Sequence, residues 1–104
     1  MYISRGGRTR DKRKGTGTDI LEYCVPYGYA GCALELRGCG ASFGTQESFA
    51  SLQDRKDVNE VIGWIARQPW SDGSVALFGG SNRGLIQMAS AVTKPAPDPA
   101  LKAI

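Results

Sequence analysis

The chain has 104 residues, enough for one domain at most. Its 41% hydrophobic and 22% charged residues are ordinary for a folded globular protein and exclude wholesale disorder. The net charge of +3 is uneven: Arg5, Arg8, Arg10, Lys12, Arg13 and Lys14 face only Asp11, which leaves the rest of the chain net acidic.

Residues 1–17 are basic and glycine-rich with little apolar content, and are expected to form a flexible arm or loop ahead of a folded unit over 18–104. Such an arm can neutralise phosphates, but a solvated segment has the same composition. No aromatic residue lies between Arg5 and Lys14 to stack on bases, so nucleic-acid binding through the arm is the weaker reading. No apolar run approaches the roughly 20 residues that span a bilayer. No apolar stretch follows the arginines as a secretory signal requires, so no membrane partner is expected. Cys24, Cys32 and Cys39 lack the spacing of a metal site, and the chain holds no histidine. Neither a metal nor a cofactor is expected, and the thiols are expected to be buried and free in a cytoplasmic protein.

In chain order, Thr18-Asp19 can cap a helix carrying Ile20, Leu21, Cys24 and Val25 at helical spacing, closed by Pro26 and Gly28. Tyr29 to Leu36 reads as a short apolar strand buried on both faces, weakened by its glycine and alanines. Residues 37–50 form a glycine-rich loop. Ser51 to Gln68 is the clearest helix: Ser51 and Asp54 make an acidic capping box. Val58, Val61, Ile62 and Ile65 are its apolar stripe, and Asp57, Glu60 and Arg67 are expected to face water. Pro69 ends it. Ser71-Asp72-Gly73 is a turn, and Val75 to Phe78 the next buried strand. A helix from Asn82 to about Thr93 is expected to bury Leu85, Ile86, Ala89 and Val92, and Leu101 to Ile104 to begin a third strand. Helices alternating with short strands define an α/β fold with a short parallel sheet flanked by helices.

The sharpest feature is Gly79-Gly80-Ser81-Asn82-Arg83-Gly84, set between a strand and a helix. A nucleophile elbow turns abruptly there and holds its serine in strained backbone geometry, with small neighbours so that nothing collides with adjacent strands. The helix N-terminus just beyond supplies oriented amides, and the N–H of Asn82 can receive an oxyanion. The usual G-x-S-x-G would place its second glycine at position 83, whereas this chain has Arg83 and then Gly84. A glycine-rich connection with a capping serine is the competing reading. Gly38, Gly40 and Gly44 approach a dinucleotide fingerprint, but the third glycine is one residue late and no helix opens there.

Four segments together resemble the serine-hydrolase family of X-prolyl dipeptidyl peptidases and cocaine-esterase-like enzymes. They are Gly28-Tyr29-Ala30; Arg37-Gly38-Cys39-Gly40-Ala41-Ser42-Phe43-Gly44; Val61 to Ile65 running into Gln68-Pro69-Trp70-Ser71-Asp72-Gly73; and Gly79-Gly80-Ser81 with Gly84. The elbow of that family is G-x-S-Y-x-G, which accommodates the late glycine. The resemblance implies a partial α/β-hydrolase core, Ser81 as nucleophile, the Asn82 amide as one oxyanion donor, and a peptide or ester substrate. Asn82 stands where the family has tyrosine, and Glu35 where it often has aspartate. The family's second oxyanion donor, a tyrosine of an upstream loop, has no counterpart near Arg8 to Lys12. Its triad acid and histidine lie beyond the matched region.

Three readings follow. The chain represents the central segment of a serine hydrolase, with little activity alone because no histidine is present to act as base. Alternatively it is a non-catalytic remnant or interaction module that self-associates through exposed sheet edges. The third is nucleic-acid binding through the basic arm.

Overall fold

The computed structural model describes residues 1–4, 19–92 and 97–104. Strand β1 (Tyr2–Ser4) is followed by helix α1 (Asp19–Cys24), β2 (Ala33–Glu35), α2 (Leu52–Ala66), β3 (Val75–Ala76), α3 (Asn82–Ala91) and β4 (Leu101–Ala103).

Each expected helix forms where local chemistry favours it. Helix α1 runs into a single 3-10 turn, Val25–Tyr27, with Pro26 in its first turn. Gly28 ends it at φ 88°, a left-handed setting that glycine adopts without a Cβ clash, and donates its N–H to the Val25 carbonyl. Helix α2 carries the expected capping box in full: Asp54 N–H donates to Ser51 Oγ at 3.0 Å, and Ser51 N–H to Asp54 Oδ2 at 3.1 Å. Val58, Ile62 and Ile65 are buried, and Val61 half-buried. Arg67 caps the helix and is exposed.

β1 and β2 pair in parallel, with Tyr2 opposite Ala33 and Ser4 opposite Glu35. β3 and β4 also pair in parallel, with an irregularity between Val75 and Ala76. Met1 joins the two ladders: Phe78 N–H donates to its carbonyl at 2.9 Å, and its amine donates to the Ala76 carbonyl. The strands therefore run in the order β2-β1-β3-β4. Right-handed crossovers then put α1 on one face and α2 with α3 on the other, and α2 and α3 do pack together. Asn59 ties them, donating from Nδ2 to the Ser90 carbonyl at 3.3 Å. Leu36, Val58, Ile62, Ile65, Val75, Leu77 and Ile86 form the core under these two helices.

Four expectations need correction. The second strand is paired only over Ala33–Glu35, opposite Tyr2–Ser4; Tyr29 and Ala30 are exposed. Neither that strand nor β3 is buried on both faces: Val75 and Leu77 point into the core, while Ala76 and Phe78 on the α1 side stay exposed. Helix α3 buries Ile86, Gln87 and Ser90, whereas Leu85 and Val92 are exposed, Val92 at 77%. The elbow fixes the rotation of that helix at its first residue, and hydropathy alone does not. Asp57 does not simply face water, but receives a two-pronged contact from Arg37, Nε to Oδ2 at 2.6 Å and Nη2 to Oδ1 at 2.7 Å.

The start of the chain is more ordered than its composition suggests, since Tyr2–Ser4 is a strand inside the sheet. Residues 5–18, which carry every basic residue of the expected arm, lie outside the described residues. The three cysteines are free thiols, with Cys39 buried and Cys24 and Cys32 half-buried. No described helix is long and apolar enough to cross a membrane.

Candidate active site

The strand order places one point apart from all others. β1 and β3 are neighbours, but β1 connects onward to β2 on one side and β3 to β4 on the other. Open α/β sheets bind ligands outside the carboxyl ends of strands at such a switch point. The carboxyl end of β3 carries Gly79 to Gly84.

The chain turns there within one residue. Ser81 has φ 56° and ψ −131°, a setting that L-residues rarely adopt and that costs about 1–3 kcal/mol unless the surroundings enforce it. Helix α3 begins at the next residue. Arg83 N–H donates to the Gly80 carbonyl at 3.2 Å and Leu85 N–H to the Ser81 carbonyl at 3.1 Å, closing the turn from its own backbone. Ser81 occupies the cap position, yet its side chain makes no capping hydrogen bond, and the residue is exposed. The capping-serine reading is therefore excluded. Asn82 is the first residue of the helix, so its N–H is one the helix cannot itself satisfy. That amide follows directly on a strained serine whose hydroxyl caps nothing.

The glycines explain the spacing. A Cβ on Gly84 would lie 3.0 Å from the Gly79 carbonyl oxygen, so the helix meets the incoming strand one residue later than in the shorter elbow pattern. A Cβ on Gly79 would lie 2.8 Å from both Arg83 Cβ and Gln87 Nε2. Gly80 has nothing within 4 Å of that position. Gly79 and Gly84 are thus required by contact, while Gly80 is not.

The loop after β2 is built to another purpose. Gly38 N–H donates to the Phe43 carbonyl, Cys39 N–H to Leu36 and Ser42 N–H to Cys39, all at 3.0–3.1 Å. Ala41 N–H donates to Glu35 Oε2 at 2.8 Å, and Ser42 Oγ to the Glu35 carbonyl at 2.8 Å. These amides are committed inside the loop, so the arrangement is no phosphate cradle. Glu35 acts as the loop's anchor, its carboxylate filling the space above Gly40. The Arg37 contact, followed by a hydrogen bond from Gln53, holds the Asp57 carboxyl below its ordinary 3.8, against the opposing effect of burial.

An open groove of about 800 Å³ lies on the α1 side of the sheet, lined by Leu21, Cys24, Tyr27, Trp70 and Phe78 among others. Size alone would nominate it as the binding site, but Ser81 is not in its wall. The groove marks the sheet face that α1 leaves incompletely covered. Among the described residues no cluster of metal-ligating side chains occurs, and no base hydrogen-bonds the Ser81 hydroxyl. The loop expected to face the elbow, Arg8 to Lys12, lies outside the described residues.

Two contributors escaped the sequence. Gln87 is 2% exposed, with its Nε2 in the space a Gly79 side chain would need and without a hydrogen-bond partner. A glutamine amid apolar helix positions was the available sign. Glu35 stood out only as a departure from the aspartate of the resembling family, inside a strand expected to run to Leu36, and its spacing gave no sign of the loop folding back over it.

The described residues form a small α/β unit with a short parallel sheet, and the strained serine lies at its switch point. Residues 3–104 match the family described as X-Pro dipeptidyl-peptidase (S15 family), and the chain belongs to that family. Among curated proteins, a candidate serine esterase of Mycobacterium bovis is 43% identical over 60 residues, which cover 58% of this chain and 10% of that protein. A Mycobacterium tuberculosis protein of the same designation matches to the same extent. The cocaine esterase of a Rhodococcus species is 38% identical over 76 residues, 73% of this chain and 13% of the relative. The chain thus spans little more than a tenth of the length of these relatives. No solved structure matches it.

Proposed function

We propose that Ser81 is the nucleophile of a serine hydrolase that cleaves esters or peptides through an acyl-enzyme. The observation that carries this reading is the Ser81 backbone, at φ 56° and ψ −131°, with a hydroxyl that caps nothing. Strain of that kind needs a reason, and presenting a nucleophile beside a helix N-terminus supplies one. Family membership and the esterase names of the relatives support the same chemistry.

In this reading Ser81 Oγ attacks the acyl carbon as its proton passes to a general base. The carbonyl oxygen becomes an oxyanion and accepts from the Asn82 N–H. Collapse expels the alcohol or amine, which takes a proton from the protonated base, and leaves the acyl group on Oγ. Water then attacks that ester, with the base again accepting a proton; collapse breaks the bond to Ser81 Oγ, which takes that proton back as the carboxylic acid leaves. No histidine occurs in the 104 residues, so the base is the part this chain does not provide in the ordinary form. Without one a serine hydroxyl is a weak nucleophile at neutral pH, and the chain alone turns over little substrate.

The test is intact mass after exposure of the purified chain to a fluorophosphonate, with Ser81→Ala as control. A single adduct that disappears in the variant supports the assignment. An adduct that persists in Ser81→Ala, or none when a histidine-bearing relative labels under the same conditions and imidazole is supplied to the folded chain, overturns it.

A further inference from the structure

Just before β4, Asp98 is tied both to the helices and to the strand it precedes. Its N–H donates to Asn59 Oδ1 at 3.3 Å. Asn59 Nδ2 donates in turn to the carbonyls of Arg55 on α2 and Ser90 on α3, at 3.0 and 3.3 Å. Towards β4, Asp98 Oδ1 accepts from the Ala100 N–H and the Asp98 carbonyl from the Leu101 N–H, both at 2.9 Å. The other carboxylate oxygen occupies a slot in α2 where the helix has no side chain. A Cβ on Gly63 would lie 2.5 Å from Asp98 Oδ2 and 3.1 Å from Arg67 Nη1. Gly63 is buried in the body of α2, where glycine is a poor helix former. The carboxylate accounts for it there.

β4 in turn flanks the strand that delivers the elbow. Val75 N–H donates to the Ala100 carbonyl at 2.8 Å and Leu77 N–H to the Ala103 carbonyl at 2.9 Å. β3 is only two residues long, so these bonds, with that from Phe78 N–H to Met1, fix where the strand ends and the turn at Ser81 begins. We infer that Asp98 is a positioning residue for the elbow: it seats β4 against α2, and β4 holds the strand that carries Ser81. The consequence for catalysis rests on the reading of Ser81 as nucleophile, whereas the order of the elbow backbone does not. Loss of Asp98 frees β4 and the elbow but leaves α2 in place, because α2 is held by its own capping box and its buried stripe.

The experiment is amide hydrogen exchange in the wild-type chain, Asp98→Ala, Gly63→Ala and the double variant, with fluorophosphonate labelling in imidazole alongside. In Asp98→Ala, exchange at Leu77, Phe78 and Arg83 is expected to accelerate about tenfold, with Val58 and Ile62 of α2 unchanged. Gly63→Ala should give the same pattern although alanine is the better helix former, because its methyl takes the carboxylate's place. In the Asp98→Ala background the slot is empty, and the same methyl should change elbow exchange by less than about twofold. Labelling of Ser81 should fall with elbow order in both single variants. Elbow exchange unchanged in a folded Asp98→Ala chain overturns the inference. So does acceleration spread evenly through α2, which marks a merely structural role, or a Gly63→Ala effect as large without Asp98 as with it. If Asp98→Ala does not fold, Gly63→Ala decides: unchanged exchange at Leu77 and Arg83 overturns the inference, and selective acceleration there supports it. A wild-type chain that does not label removes the nucleophile assignment and leaves the exchange result standing.

Discussion

Two glycine-rich loops leave the carboxyl ends of parallel strands in this chain, and they use their backbones in opposite ways. The loop after β2 turns its amides inward, onto Phe43, Leu36, Cys39 and the Glu35 carboxylate. The turn after β3 closes in two hydrogen bonds and leaves a strained serine and, directly after it, a helix-terminal amide. Glycine content is the same kind of signal in both. The difference lies in where the nearest acceptors are. The loop's own carbonyls and the glutamate at the end of β2 supply them for the first loop, whereas a helix that starts at once leaves the second without. Amides committed within a loop make a scaffold, and those that a helix start leaves over can make a site.

The comparison can be broken most forcefully at the glycines that touch backbone. In the first loop Gly38→Ala combines φ 67° with a Cβ 2.9 Å from Gln46 N and 3.0 Å from the Gly44 carbonyl. It is expected to destabilise by about 3 kcal/mol in chemical denaturation. Gly84→Ala meets only the Gly79 carbonyl, at 3.0 Å, from a helical position. It should cost about 1 kcal/mol yet displace the elbow, so fluorophosphonate labelling falls more than stability does. Equal losses of stability and labelling in both variants would erase the distinction between scaffold and site.

A smaller effect tests how the first loop is fastened to α2. Arg37 holds the Asp57 carboxyl below 3.8, so the contact contributes fully above that value and is lost as acid protonates the group in the fold. Asp57→Asn is expected to lower stability at neutral pH by about 1 kcal/mol, the pair being partly exposed. The gap between variant and wild type should close as pH falls below about 4. A gap that persists at pH 2 would mean the charge is not what fastens the loop.

The smallest expected effect sharpens the contrast inside the elbow itself. Gly80→Ala has open space around its Cβ, and should change stability by no more than about 0.5 kcal/mol with labelling retained. A large loss there would show that the elbow's glycines act through backbone freedom and not through contact.

Much of this was legible in order. Ser51 and Asp54 announce α2, Pro26 and Gly28 close α1, and the strand-to-helix change at Ser81 stands out beside its glycines, because capping, turn formation and 3.6-residue periodicity act within a few residues. Strand β1 was not legible. Three residues beside a basic, glycine-rich stretch carry no strand signal, and Tyr2–Ser4 is ordered only by β2 and β3 on either side. The rotation of α3 was misread for a related reason. Leu85 and Val92 are as apolar as Ile86, and only the elbow's geometry decides which of them meets the core.

By itself, then, the sequence determined the helices, the turns and the position of the strained serine, since those follow from short-range hydrogen bonding and steric limits. The tertiary structure alone decided which strands are neighbours, that Arg37 meets Asp57 twenty residues away, and that Gly40 makes room for the Glu35 carboxylate. It alone set Gln87 beneath Gly79. Each of those contacts depends on where distant segments come together, and no local preference encodes that.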